Sequence, residues 1–109
     1  MPSIMLIYDR PTDVARRSDY NGRVRDWIAR LLQIPGVVSL LAQRAVDAAA
    51  SPNTIVTLEF RKLDQAQAAI SSDHLNAILQ ELGSSTADRP KAVLVERSPF
   101  TPVPIRPET

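Results

Sequence analysis

The order of strand-like and helical patterns along the chain constrains the fold more than any other feature. Helical periodicity predicts one helix over 19–34 and a second helical region from Asp64 to Gly83. Short apolar or alternating runs predict four strands, at residues 4–8, 36–45, 54–60 and 91–97. With 109 residues, the order strand–helix–strand–strand–helix–strand indicates one two-layer domain and leaves no room for a second.

Local signals set the expected helix ends. Pro35-Gly36 ends the first helix. Apolar residues at helical spacing form one face of this helix, and they are Val24, Trp27, Ile28, Leu31 and Leu32. Asp64 is the expected N-cap of the second helix and Gly83 its stop. Because Ser71-Ser72-Asp73 interrupts the apolar face, this region is either one kinked helix or two short ones.

The strand patterns predict how the sheet is covered. In the third strand Thr54, Val56, Leu58 and Phe60 point to one face, and the residues between them point to the other. The second strand is apolar on both faces, which indicates a central position. Two right-handed crossovers then give a ferredoxin-like α+β fold, βαββαβ, with a four-stranded antiparallel sheet and both helices on one face. The bare face predicts self-association, at least as a homodimer.

The last residues follow a different pattern. Four prolines between positions 99 and 107 exclude a helix or a central strand. We therefore expect a folded domain over 1–98 and an extended, proline-rich arm over 99–109. Three apolar residues in the arm leave two interpretations open, an arm lying on a partner subunit or a frayed end; they are Phe100, Val103 and Ile105.

Composition narrows the function classes. A net charge of +1, with no basic stripe, gives no reason to expect a nucleic-acid partner. The absence of cysteine excludes disulfides and thiolate metal sites, and only three glycines argue against a phosphate-binding loop. No metal or cofactor is expected. The apolar runs are too short for a signal peptide or a membrane span, so we expect a soluble, cytoplasmic protein.

Together these segments resemble the dimeric α/β-barrel superfamily, in which two ferredoxin-like sheets pack face to face. The resemblance covers about residues 3–98 and is carried by the apolar first strand, by Trp27 and the Ile34-Pro35-Gly36-Val37 helix end, by the third strand, and by Ser72-Asp73-His74-Leu75. It implies a small-molecule pocket between sheet and helices. Members include cofactor-free monooxygenases, lactone isomerases, polyketide cyclases and haem-degrading enzymes, so the resemblance does not select the chemistry. The haem-degrading branch fits poorly, because no Asn lies in the first strand.

Two residues are the candidates for chemistry. His74 is the single histidine and lies beside the apolar helical face. Histidine is the residue type that most often acts as an acid or base, so His74 is the candidate for that role. A partly exposed helix-start residue is the structural alternative. Tyr8, at the end of the first strand, is the candidate hydrogen-bond donor.

Further candidates would contact a ligand. Arg10 could clamp a carboxylate, unless it merely pairs with Asp9 at the surface. Trp27 and Leu31 would form an apolar wall, or simply core packing. Two charged strand residues could pair across the second and third strands, either lining the pocket or forming a structural bridge; they are Arg44 and Glu59.

Two functions follow from these residues. The first is a cofactor-independent enzyme or binding protein for a small hydrophobic, oxygenated molecule. The second is a non-catalytic dimeric assembly or regulatory module that uses the sheet and the arm.

Overall fold

A four-stranded antiparallel sheet carries three helices on one face. The structure, a computed structural model, describes residues 1–47, 49–86 and 88–108. Its elements are β1 (Ser3–Tyr8), α1 (Val14–Leu32), β2 (Val37–Arg44), β3 (Thr54–Phe60), α2 (Leu63–Ile70), α3 (Asp73–Thr86) and β4 (Lys91–Val95). The strand order is β2-β3-β1-β4, with every neighbouring pair antiparallel. The predicted α+β, ferredoxin-like architecture is confirmed, with the second helical region divided into two helices.

The core lies between the helices and one face of the sheet. Alternate residues of the two central strands are buried there, and the predicted two-faced pattern of β3 is confirmed. The helices contribute buried residues to the same cluster. The residues of the helix-facing core are Ile4, Leu6, Tyr8, Tyr20, Trp27, Leu31, Ile34, Val56, Leu58, Phe60, Ala66, Ala69, Leu75, Ile78, Leu79 and Leu82. Because β1 and β3 alternate strictly, a one-residue slip would expose every one of their core side chains.

The opposite face of the sheet carries apolar side chains that the helices do not cover. Met5 and Ile7 of β1, Ile55 of β3 and Val93 of β4 are only partly buried there. On β2, Leu41 is 57% exposed. We call this surface the open face. Its apolar residues are contiguous across all four strands, which is unusual for a surface in contact with water.

The expected central position of β2 is wrong, because β2 is an edge strand bonded only to β3 among the described strands. Leu40 pairs with Leu58 and faces the helices, whereas Leu41 lies opposite Thr57 on the open face. The strand is apolar on both sides because one side faces the helices and the other belongs to the open face. It is not buried in the middle of the sheet.

Helix α1 begins at Val14, five residues before the predicted start at Asp19. The Asp13 carboxylate accepts a hydrogen bond from the Arg16 backbone N–H at 3.1 Å, which is the N-cap geometry. The first turns are exposed and polar, so apolar periodicity could not reveal them.

The second helical region divides where the serines predicted. Helix α2 ends at Ile70, and the Ser72 hydroxyl then accepts a hydrogen bond from the Leu75 N–H at 3.1 Å at the start of α3. Asp64 is not the N-cap of α2, because Lys62 occupies that position. Gly83 does not stop α3, which continues to Thr86. A Cβ atom on Gly83 would lie 3.0 Å from Arg89 Cα, so glycine is needed for close approach of the following segment.

Beyond β4 the described chain is exposed. Strand β4 ends at Val95, two residues before the predicted end. The apolar residues of the arm are largely in contact with solvent, with exposures of 91% at Phe100, 63% at Val103 and 76% at Ile105. Within the described ranges, none of the helices has the length and apolar character that crossing a bilayer requires.

Candidate functional site

A cavity of about 350 Å³ lies between α1 and the β2–β3 side of the sheet. Its inner wall is mostly apolar, and it consists of Leu6, Val24, Trp27, Ile28, Leu31, Leu40, Val56 and Leu82. The outer lining includes Asn21, Gln43 and Arg44, which are exposed. Cavities of this size and character commonly bind small organic molecules.

The deep polar feature of this cavity is a pair of tyrosines. The hydroxyl oxygens of Tyr8, at the end of β1, and Tyr20, in α1, lie 2.5 Å apart and share a buried hydrogen bond. The Tyr20 ring also packs against Trp27, with ring centroids 5.6 Å apart. Both hydroxyls and the indole ring therefore belong to one aromatic cluster that forms part of the cavity wall.

Burial keeps both tyrosines protonated at neutral pH. It raises the pKa of Tyr8 far above its ordinary value, and the hydrogen bond to Tyr20 raises it further. Burial also raises the pKa of Tyr20, although the bond from Tyr8 and the nearby Arg10 charge partly oppose the rise. The pair can therefore donate one hydroxyl hydrogen to a ligand, but neither tyrosine serves as a phenolate base near pH 7.

The loop after β1 fixes Arg10 at the same end of the cavity. The Arg10 backbone N–H donates to Asn53 Oδ1 at 2.9 Å. Asp9 accepts from the Asn53 N–H at 2.9 Å and from the Ser51 hydroxyl at 2.6 Å. The carboxylate of Asp9 thus holds the loop before β3. A surface ion pair between Asp9 and Arg10, the other interpretation of Arg10 from the sequence, does not occur among the described residues.

The Arg10 side chain has an unsatisfied donor. Its Nε atom is buried and has no hydrogen-bond partner in the described part of the chain. A buried donor without an acceptor typically costs about 1–3 kcal/mol. Other atoms of Arg10 line the cavity, so the guanidinium lies beside any molecule bound there.

Most of the predicted contact residues meet at this cavity. Tyr8, Arg10, Trp27, Leu31 and Arg44 all line it. Trp27 is at once core and wall, so the two interpretations of this residue are compatible.

Glu59 does not join this group. In β3 it lies between Leu58 and Phe60, which face the helices, so its side chain is on the open face. The register pairs Arg44 with Thr54 and Glu59 with Ser39, which places the two charged residues at opposite ends of the strand pair. The expected Arg44–Glu59 bridge is therefore wrong, because strand register and alternation separate the two side chains.

His74 also lies away from the tyrosines. It lines a second, smaller cavity of about 200 Å³ with Ile34 and Pro35, at the other end of α1. Its Nε2 donates to the Arg30 carbonyl at 3.0 Å, in the last turn of α1. The expectation that His74 and Tyr8 share one pocket is corrected, because α3 starts beside the C-terminal end of α1.

Sequence reasoning did not single out Tyr20 or Asn53. Tyr20 precedes Trp27 by seven residues and Val24 by four, so it extends the apolar face by one turn. That spacing is a signal that could have found it. Asn53 acts through loop contacts between residues far apart in sequence, and no local pattern indicates them.

The chain is similar to known proteins in its structure but not in its sequence. No family model and no curated protein matches the chain. Among solved structures, an ethyl tert-butyl ether D (EthD) family protein from Bacillus halodurans has a TM-score of 0.70 at 14% identity, covering 90% of this chain and 99% of that one. A protein described as an antibiotic biosynthesis monooxygenase has a TM-score of 0.62 at 11% identity, covering 91% and 100%.

A third solved structure is a dimeric protein of unknown function with a ferredoxin-like fold from Bacteroides fragilis. Its TM-score is 0.63 at 14% identity, covering 88% of this chain and 95% of that one. At these identities the likeness establishes the fold and not the activity. The chain has the ferredoxin-like α+β fold, and the solved structures similar to it include an EthD family protein, an antibiotic biosynthesis monooxygenase and a dimeric protein of ferredoxin-like fold.

Proposed function

We propose that this protein is a homodimer that binds a small, mainly apolar, oxygenated molecule in the cavity between α1 and the sheet. The observation that carries the proposal is the buried Tyr8–Tyr20 hydroxyl pair beside Arg10 in an otherwise apolar cavity. A few fixed polar groups on an apolar wall are the usual arrangement of a small-molecule site.

The same groups could support cofactor-independent chemistry. Two neutral hydroxyls and a guanidinium can stabilise negative charge that develops on a substrate oxygen, as in enolate or phenolate formation. One of the two tyrosines would donate the hydroxyl hydrogen that their mutual bond leaves free, and Arg10 would supply positive charge.

The open face supports the homodimer. Its apolar residues run across all four strands, and a second copy offers the same surface in return. The structural neighbour from Bacteroides fragilis is described as dimeric. Face-to-face packing would bury the open face and leave the helix-side cavity of each protomer accessible.

The binding proposal can be tested through Trp27, the single tryptophan. Its indole N–H signal in a ¹⁵N-labelled protein should shift when small aromatic acids, phenols and ketones enter the cavity. Val24→Phe should fill the cavity and abolish the shifts. Val14→Phe is the matched control, because Val14 is 73% exposed and does not line the cavity. A fragment panel that leaves the wild-type signal unmoved would contradict the proposal.

The second candidate function, a non-catalytic assembly module, is favoured by one observation, the exposed apolar side chains of Phe100, Val103 and Ile105 in the arm. In that case deletion of 99–109 should dissociate the dimer, as seen by light scattering after size-exclusion chromatography. A truncated protein that stays fully dimeric and still binds fragments would leave only the first candidate.

A further inference from the structure

We propose that the ligand of the α1 cavity is a carboxylate, held by the Arg10 guanidinium at the tyrosine end with its apolar body against Trp27. This inference rests on the proposed function and adds the chemical class and the orientation of the ligand. Three observations support it: the charge of the lining, the state of Arg10, and the hydrogen that the tyrosine pair leaves available.

The charge of the cavity is the first observation. Its described lining contains two arginines, Arg10 and Arg44, and no Asp or Glu. The chain as a whole has a net charge of only +1, so this local excess is not a consequence of overall composition. Positive charge on a low-dielectric wall attracts and retains anions.

The second observation is that Arg10 is held in place without an acceptor. Its backbone is fixed by Asn53, and the nearest carboxylate in the sequence, Asp9, is occupied by Ser51 and Asn53. The Arg10 Nε donor is buried and unpartnered among the described residues. A planar carboxylate fits the guanidinium fork, because its two oxygens can accept from the two terminal nitrogens together.

The third observation concerns the hydroxyl hydrogens. Tyr8 and Tyr20 have two hydroxyl hydrogens between them, and their mutual bond uses one. The other can be donated to a ligand oxygen. The site therefore offers one hydroxyl donor in addition to the guanidinium, which suits a small organic carboxylate. A phosphate ester would bring a larger, more strongly hydrated group into a mainly apolar cavity.

The test compares trans-cinnamate with trans-cinnamamide, which share the same apolar body and differ in the charged group. Binding to the full-length protein is measured by calorimetry and by the Trp27 indole signal. We expect cinnamate to bind at least tenfold more tightly than the amide. Arg10→Gln should remove this preference, and a urea unfolding midpoint matching that of the wild type shows that the variant is folded.

Two further variants sharpen the result. Arg10→Lys keeps the charge without the fork and should retain only part of the preference. Arg25→Gln, on an exposed part of α1 outside the cavity, should behave as wild type. A loss of preference in Arg44→Gln rather than in Arg10→Gln would overturn the assignment to Arg10.

The outcomes separate this inference from the proposed function. Equal binding of acid and amide would overturn the carboxylate inference and leave the binding cavity intact. If neither compound binds and the fragment panel also fails, both are contradicted. If other fragments bind but neither cinnamate nor cinnamamide does, the carboxylate inference alone falls.

Discussion

The hydroxyl oxygens of Tyr8 and Tyr20 lie 2.5 Å apart and join the end of β1 to α1 at the floor of the cavity. Tyr20 lies twelve positions after Tyr8 in the sequence, and the polar loop and the first turns of α1 lie between them. The pair links fold to function, because it fixes α1 on the sheet and presents hydroxyl groups to the cavity.

Removing either hydroxyl should destabilise the protein. Tyr8→Phe and Tyr20→Phe each leave a buried hydroxyl without its partner, so we expect each to lower the free energy of unfolding by about 1–3 kcal/mol. The double variant should lose less than the sum, with a coupling of about 1 kcal/mol. Urea denaturation of the four proteins measures this cycle, and additive losses would show that the bond is not formed.

Alkaline pH should weaken the folded state through the same pair. The pKa of both tyrosines is raised in the folded protein, whereas the unfolded chain releases these protons near pH 10. Above that pH the unfolded state binds fewer protons, so the free energy of unfolding falls as the pH rises. Below about pH 10 the two tyrosines make their full contribution to the free energy of unfolding.

The measurement is urea denaturation between pH 8 and pH 11.5. The Tyr8→Phe/Tyr20→Phe protein, which keeps every lysine, is the control and should show a shallower decline. Parallel declines in both proteins would contradict the assignment to the tyrosines.

The order of helices and strands along the chain, the alternation of β3 and five residues of the cavity lining were predictable, because they depend on periodicity and topology. Trp27, Leu31 and Tyr8 meet since a βαβ crossover returns one helix face to the strand that preceded it. The features that could not be predicted depend on the register between strands and on the residues that cap the helices. Glu59 and Arg44 were misplaced by strand register, and the early start of α1 depends on Asp13, which no apolar pattern marks.

We expect His74 to stabilise the contact between α1 and α3 and to have no part in ligand binding. His74→Ala removes its bond to the Arg30 carbonyl, which should lower the free energy of unfolding by about 1 kcal/mol. Gln80→Ala, on the exposed side of the same helix, should change it by less than about 0.5 kcal/mol. Cinnamate affinity should be unchanged in both variants. A specific loss of affinity in His74→Ala would restore the histidine to the site.

The open face can be tested with a matched pair of substitutions. Leu41→Lys places a charge on the open face and should shift the protein from dimer to monomer. Leu32→Lys, at the end of α1 and 49% exposed, should leave the dimer intact. Sedimentation velocity at several concentrations distinguishes the two. Dissociation by Leu32→Lys alone would place the dimer contact on the helix side.

A native mass spectrum of the full-length protein with added trans-cinnamate tests the account most directly, because it reports subunit number and ligand stoichiometry together. The account predicts a dimer that carries up to two cinnamate molecules, and a dimer without ligand for the Val24→Phe variant. A monomer would contradict the homodimer, and a wild-type dimer without ligand at saturating cinnamate would contradict the carboxylate-binding cavity.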